Sequence, residues 1–173
     1  ISRWEKIYNR LQLLNKYHAL TGDCLNNSIN KIKNNTINKT YKQIKNILIK
    51  NGGLFFGGLA TNSYRQYDNN IKDIYSFDVF MEELNPIEYE LKSKINDIDI
   101  KKVKGKSKLM PDHIIIQKGD VIYATIYKTQ ACYSYNLLNI QGQKVKIATI
   151  YTIMSKYLVF LFTNQSTFSE SRL

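Results

Sequence analysis

The spacing of apolar residues predicts two helices in the first part of the chain. Over residues 4–17 apolar side chains recur every three or four positions, which predicts an amphipathic helix ending near Gly22. Residues 26–40 are polar and of low complexity, and this composition predicts either a loop or a surface helix. Helical spacing returns over residues 41–50, where the second helix is predicted to end at Asn51-Gly52-Gly53.

The next segment predicts a strand that turns directly into a helix. Residues 54–56 form a short apolar run, and residues 59–64 have a helical pattern. Gly57 and Gly58 lie between them, and we expect the tight turn to need glycine. A further helix is predicted over residues 86–95, because proline is favoured in the first turn of a helix.

A strand is also predicted over residues 74–80, and its faces can be assigned. Successive side chains of a strand point to opposite sides of the sheet. Phe77 and Val79 are therefore predicted on one face, and Ser76 and Asp78 on the other.

The second half of the chain predicts further strands and a closing helix. Residues 100–103 are predicted to form a strand, and residues 114–116 and 121–127 a hairpin around Gly119. Apolar spacing predicts a last helix over residues 147–161. The order of elements indicates an α+β fold in which a small mixed sheet packs on helices.

Length and composition indicate one ordinary globular domain. The 173 residues divide into a helix and polar segment over residues 1–40 and a domain over residues 41–173. Cys24 and Cys132 lie far apart, which argues against a zinc site or a disulfide-rich scaffold and favours a reducing compartment. Because the chain begins at Ile1, we expect it to be part of a longer protein.

The net charge of +11 favours an acidic partner, with nucleic acid first and an anionic membrane second. A chain rich in Lys, Asn, Ile and Tyr is also what an AT-rich gene would encode, so the charge supports nucleic-acid binding without establishing it. No membrane segment is expected, because the most apolar stretch, residues 147–162, is shorter than the roughly 20 residues of a membrane span and contains Lys156.

Five segments, taken in order, resemble one known family. They are Phe55-Phe56-Gly57-Gly58-Leu59-Ala60, then Ser76-Phe77-Asp78-Val79-Phe80, then Ala124-Thr125-Ile126, then Cys132-Tyr133-Ser134-Tyr135, and finally residues 146–158. The chain looks like the nucleotidyltransferase domain of poly(A) polymerases from poxvirus-like and giant viruses. The resemblance implies a polymerase beta-like nucleotidyltransferase fold.

The resemblance also assigns roles to residues. It implies Gly57, Gly58 and Asn62 as nucleotide-binding positions, and an active member would use Mg²⁺ and ATP. Two of the three metal-binding carboxylates that the family carries are replaced here, by Ser76 and Thr125. Asp78 is the remaining catalytic and metal-binding candidate. Because a hydroxyl has no charge to offset two Mg²⁺ ions, we expect no bound cofactor and a pseudoenzyme.

Other polar residues are candidates that we rank lower. Asp97 and Asp99 are expected to form a turn and the start of a strand, and Asp112-His113 a turn with a solvated histidine. Asp73 lies before the strand that carries Asp78, and Glu82 and Glu83 lie after it. These are the other acids that could substitute for the two missing carboxylates.

The sequence therefore predicts an RNA-binding or scaffolding partner in viral mRNA polyadenylation or transcription. We expect RNA and either other protein subunits or a second copy as partners, no membrane, and a location in the host cytoplasm or the virion. Two alternatives stay open: an active polynucleotide adenylyltransferase that transfers AMP from ATP to an RNA 3′ end, and a structural component of a ribonucleoprotein assembly.

Overall fold

A computed structural model of the chain describes residues 35–64, 76–105, 110–140 and 142–162, together with isolated residues between positions 5 and 16. The isolated residues, among them Glu5 and Arg10, are helical. The remainder of the predicted first helix, the predictions for residues 17–34 and Asp73 lie outside the described residues.

The described ranges contain four helices and seven strands. The helices are α1 (Asn35–Lys50), α2 (Gly58–Tyr64), α3 (Asn85–Lys94) and α4 (Ile150–Phe162). The strands are β1 (Leu54–Phe55), β2 (Phe77–Met81), β3 (Asp99–Val103), β4 (His113–Lys118), β5 (Val121–Lys128), β6 (Tyr135–Ile140) and β7 (Gln143–Ala148). The fold is α+β, as predicted.

The strands form one mixed sheet in the order β3-β4-β5-β2-β1-β7-β6. β2 runs parallel to β5 and antiparallel to β1, while β1 runs parallel to β7. The two hairpins, β4–β5 and β6–β7, turn at Gly119 and Gly142, which have φ of 56° and 80°. Glycine adopts this left-handed region without the steric cost that a Cβ would bring.

Helices cover both faces of the sheet. On one face, Tyr41 of α1 stacks on Phe77 of β2 with ring centroids 4.2 Å apart. On the other face, Phe160 of α4 lies against Phe56 and Tyr127. These contacts agree with the predicted parity of β2, because Phe77 and Asp78 point to opposite sides. None of the helices in the described ranges is long and apolar enough to cross a membrane.

Three details of the prediction are wrong. Ile147 belongs to β7, and the last helix begins only at Ile150. The β6–β7 hairpin was not predicted at all. His113 is not solvated but buried in β4, where its ring lies 5.1 Å from that of Tyr127. The turn at Asp97 and the strand that starts at Asp99 are found as predicted.

Helix α3 is tied to the sheet by ion pairs of Glu88. The Glu88 carboxylate accepts a hydrogen bond from Lys102 of β3 at 2.7 Å and another from Lys92 of the same helix at 2.9 Å. These two hydrogen bonds, the one from Lys102 first, hold the pKa of Glu88 below its ordinary value.

We therefore expect Glu88→Gln to destabilise the domain at neutral pH by about 1 kcal/mol or less. A depressed pKa in the folded state gives stability that is present above the unfolded pKa and is lost as the pH falls through the folded one. The difference in urea midpoint between the two proteins should thus shrink as the pH falls below the ordinary pKa of a glutamate. An exposed control is Glu82→Gln, and an equal, pH-dependent loss in that variant would contradict the role of the Glu88 pairs.

Candidate functional site

The glycine turn joins β1 to α2 and lies against β2. The Phe56 N–H donates to the Asp78 carbonyl at 3.0 Å, which continues the pairing of β1 and β2 by one residue. The chain then enters α2, where the Ala60 and Thr61 N–H groups donate to the Gly57 carbonyl. The strand–turn–helix unit predicted from sequence is present.

Gly57 approaches the side chain of Asp78 very closely. A Cβ built on Gly57 would lie 2.1 Å from Asp78 Oδ2 and 2.7 Å from its Cβ. Carbon and oxygen atoms cannot approach so closely without displacement, so only glycine fits. The glycine does not have a left-handed φ. Gly57 is therefore required for the fold, as expected, and the cause is its contact with the carboxylate rather than a left-handed backbone.

The three positions that the resemblance nominated lie on one face of the sheet. β2 and β5 are parallel neighbours, and Asp78 is paired with Thr125. Ser76 directly precedes β2, two residues before Asp78, where continued strand alternation would place its side chain on the same side. Asp78 is buried, with 6% of its surface exposed, whereas Ser76 and Thr125 are half-buried.

Aromatic rings fill the same face beside Asp78. Phe56 stacks on Phe80 with centroids 4.2 Å apart, and both rings contact Tyr127. Phe160 of α4 closes this cluster over Phe56 and Tyr127. Burial, and after it the negative charge of Asp78, raises the pKa of the Tyr127 hydroxyl well above its ordinary value. The carboxylate thus lies at the edge of an apolar, closely packed region.

This group of side chains does not fit a site for two divalent metals. Mg²⁺ prefers several charged oxygen ligands, but the residue paired with Asp78 on β5 is Thr125, and the residue two positions before it is Ser76. Across the part of the chain that the structure describes, no three His, Cys, Asp or Glu side chains are grouped to hold a metal ion. Glu83, which follows β2, is exposed and lies 3.6 Å from Lys128.

Gly58 and Asn62 lie in α2, the helix that follows the glycine turn. Gly58 is the first residue of the helix and Asn62 follows one turn later, and both are half-buried. The Thr61 hydroxyl donates back to the carbonyls of Gly57 and Gly58 at 3.3 and 3.1 Å. These contacts stabilise the first turn of the helix from within.

Sequence reasoning missed a separate cleft, of about 630 Å³, that is lined by Phe80, Tyr133, Tyr135 and Lys146 among others. It could not be predicted without the β6–β7 hairpin, which supplies Tyr135 and Lys146. The signal in the sequence was the pair Tyr133 and Tyr135, tyrosines of a basic chain that could stack on bases beside phosphate contacts.

Comparisons with known proteins give structural matches alone. No family model and no curated protein matches the chain. The crystal structure of the Megavirus polyadenylate synthase is similar over 90% of this chain and 32% of that one, with 15% sequence identity and a TM-score of 0.51.

Two structures from Helicobacter pylori are also similar. A putative nucleotidyltransferase matches over 69% of this chain and 57% of its own, at 20% identity and a TM-score of 0.41. The protein JHP933 matches over 70% and 54%, at 21% identity and a TM-score of 0.44. The chain spans about a third of the length of the Megavirus protein. Together with the strand–turn–helix unit and the β2–β5 pair, the Megavirus match shows that the chain has a nucleotidyltransferase-like fold.

Proposed function

We propose that this chain is a nucleotidyltransferase-fold protein that has lost catalysis and acts as an RNA-binding or scaffolding subunit in viral mRNA polyadenylation or transcription. The observation that carries the proposal is the face of the sheet around Asp78. One buried carboxylate lies there, paired with Thr125, under a glycine and beside packed aromatic rings, and Ser76 precedes the same strand.

Transfer of a nucleotidyl group depends on charge at this position. Two metal ions stabilise the attacking and leaving oxygens, and the protein must hold them with negative ligands. Removal of one well-placed electrostatic contribution typically costs about 10² to 10³ in rate. With Ser76 and Thr125 in place of two acids, the expected loss exceeds what a single remaining carboxylate could offset.

The choice of RNA as partner is supported by charge and by the fold. The chain carries a net charge of +11, and its structural neighbour from Megavirus is a polyadenylate synthase. An excess of Lys and Arg attracts the phosphate backbone whether or not the chain performs chemistry. On this proposal the protein works in the host cytoplasm or the virion.

We predict that the protein will not extend an oligo(A) primer when supplied with ATP and Mg²⁺ or Mn²⁺. Chain length is measured on a denaturing gel, with a competent poly(A) polymerase under the same conditions to establish that primer and nucleotide are usable. Extension by the wild-type chain that disappears in Asp78→Ala would contradict the proposal and establish the adenylyltransferase alternative.

A further inference from the structure

The cleft that sequence reasoning missed lies away from the glycine turn. Leu54, the first residue of β1, and Met81, the last residue of β2, line it, together with Thr129, which follows β5. The glycine turn follows the other end of β1, at Gly57. Phe80, Leu54 and Lys146 are cross-strand neighbours on the same face as Asp78, so the cleft lies on that face, displaced along the strands from the glycine turn.

One wall of the cleft is aromatic and positively charged. The Tyr133 ring lies 4.4 Å from the Phe80 ring, and Lys156 Nζ is 4.6 Å from the centroid of Tyr133. Nearby, Lys146 Nζ lies 5.3 Å from the centroid of Tyr135, a side chain that is 46% exposed. A cation held by a ring is positioned without being neutralised.

Lys146 lines the cleft, Lys156 lies over the ring of Tyr133 beside it, and the charges of both lysines are available to an anion. In the described ranges no carboxylate lies in an ion pair with Lys146 or Lys156, whereas other lysines, such as Lys102 and Lys128, pair with glutamates. Lys146 is half-buried and comes from β7, whose neighbour β6 exposes Leu137. Aromatic, aliphatic and cationic groups thus form one continuous surface.

The lining of the cleft also includes polar and acidic side chains. Glu82 and Glu83 follow β2 and both line the cleft. Carboxylates repel phosphate, so a polyanion would keep its backbone on the lysine side. They also accept hydrogen bonds from the exocyclic amines of bases, as in the pairing of Glu with cytosine N4. Uracil lacks such an amine.

We propose that this cleft binds single-stranded RNA, with a base stacked on Tyr135, a phosphate at Lys146 and an amine-bearing base directed towards Glu82 and Glu83. This inference rests on the proposed function and assigns the RNA of that function to a binding site, the cleft. Base stacking on exposed aromatic rings combined with a cationic groove is the usual basis of single-strand binding. The floor of buried apolar residues, Leu54 and Phe80 among them, suits the flat surface of a base.

The first experiment measures the affinity of fluorescein-labelled oligo(A) by anisotropy at several salt concentrations. Tyr135→Ala should weaken binding roughly tenfold or more, while Tyr135→Phe should bind like the wild type because it keeps the ring. Tyr89→Ala, an exposed tyrosine that does not line the cleft, is the matched control. Oligo(U) should bind the wild type more weakly than oligo(A).

Lys146→Gln should reduce the slope of log affinity against log salt by about 0.7, the value for one phosphate contact in a single strand. Lys101→Gln, on β3 at the far edge of the sheet, should leave the slope unchanged. If the two lysine variants reduce the salt slope equally, RNA is attracted by the overall charge and not by a site in the cleft. That result would overturn the inference.

The second experiment uses Cys132, an exposed free cysteine that lines the cleft. In a Cys24→Ser background, N-ethylmaleimide labels Cys132, and the rate is followed by mass spectrometry. Saturating oligo(A) should slow labelling several-fold, and Tyr135→Ala should abolish this protection at the same RNA concentration. If RNA binds without protecting Cys132, the cleft is not the RNA-binding site, but the proposed RNA-binding function is unaffected. If RNA does not bind at low salt, both the site and the RNA-binding function are contradicted.

Discussion

Gly57→Ala is expected to lower the free energy of unfolding by about 3 kcal/mol or more, or to prevent folding. The added Cβ would lie 2.1 Å from Asp78 Oδ2 and 2.7 Å from the Cβ and Cγ of the same residue. Asp78 cannot move away, because it is buried in a strand that is paired on both sides. Urea denaturation followed by circular dichroism measures the loss.

A glycine of a different kind is the control. Gly119 has a left-handed φ of 56°, but a Cβ there would meet nothing within 4 Å. Gly119→Ala should therefore cost only the backbone strain, about 1 kcal/mol. The double variant Gly57→Ala/Asp78→Gly removes the atoms that collide and should recover part of the loss. A Gly57→Ala protein as stable as Gly119→Ala would show that the close approach is not rigid.

The presence of the Gly57-Gly58 pair is not by itself evidence that the chain binds a nucleotide. The residue is needed because the turn packs on a buried carboxylate, and that need exists whether or not a phosphate ever binds. Conversely, Asp78 contacts the turn directly and so contributes to the fold. The Gly57–Asp78 contact can therefore persist in a chain that no longer transfers nucleotides.

The sequence predicts those strands in which burial gives a clear pattern. β2, β4 and β5 are rich in apolar and β-branched residues, and a glycine marks the turn at Gly119. β6 shows no such pattern, because it is an edge strand whose side chains, Leu137 included, are mostly exposed. Its partner β7 was merged with the following helix, since apolar residues continue from Val145 into α4.

The candidate site was predictable in part from the sequence. Strand parity places Ser76 and Asp78 on one face from sequence alone, but the pairing of Asp78 with Thr125 depends on which strands are neighbours. The aromatic cluster was not predictable, because Phe160 joins Phe56 and Tyr127 only through the packing of α4. His113 was misassigned for a similar reason: its burial is set by β5, next to it in the sheet.

The second large effect expected is a gain of metal dependence in the double variant Ser76→Asp/Thr125→Asp. Adjacent strands are about 4.8 Å apart, so the new carboxylates would lie beside Asp78 and their charges would repel one another. Without metal the variant should melt below the wild type. If Mn²⁺ or Mg²⁺ binds only the folded state, a metal concentration of a hundred times Kd should raise the free energy of unfolding by about 2.7 kcal/mol.

Thermal unfolding with and without metal measures this gain, and Ser76→Asn/Thr125→Asn is the matched control because it has the same shape without charge. The wild type and the asparagine variant should both be indifferent to Mn²⁺, since a single carboxylate binds a divalent ion weakly. A metal response in the aspartate variant alone would mean that the sheet still has the geometry of a metal site and lacks only the charged ligands. If Mn²⁺ shifts all three proteins equally, the face around Asp78 is not the remnant of a metal site, and the loss of catalysis must be argued on other grounds.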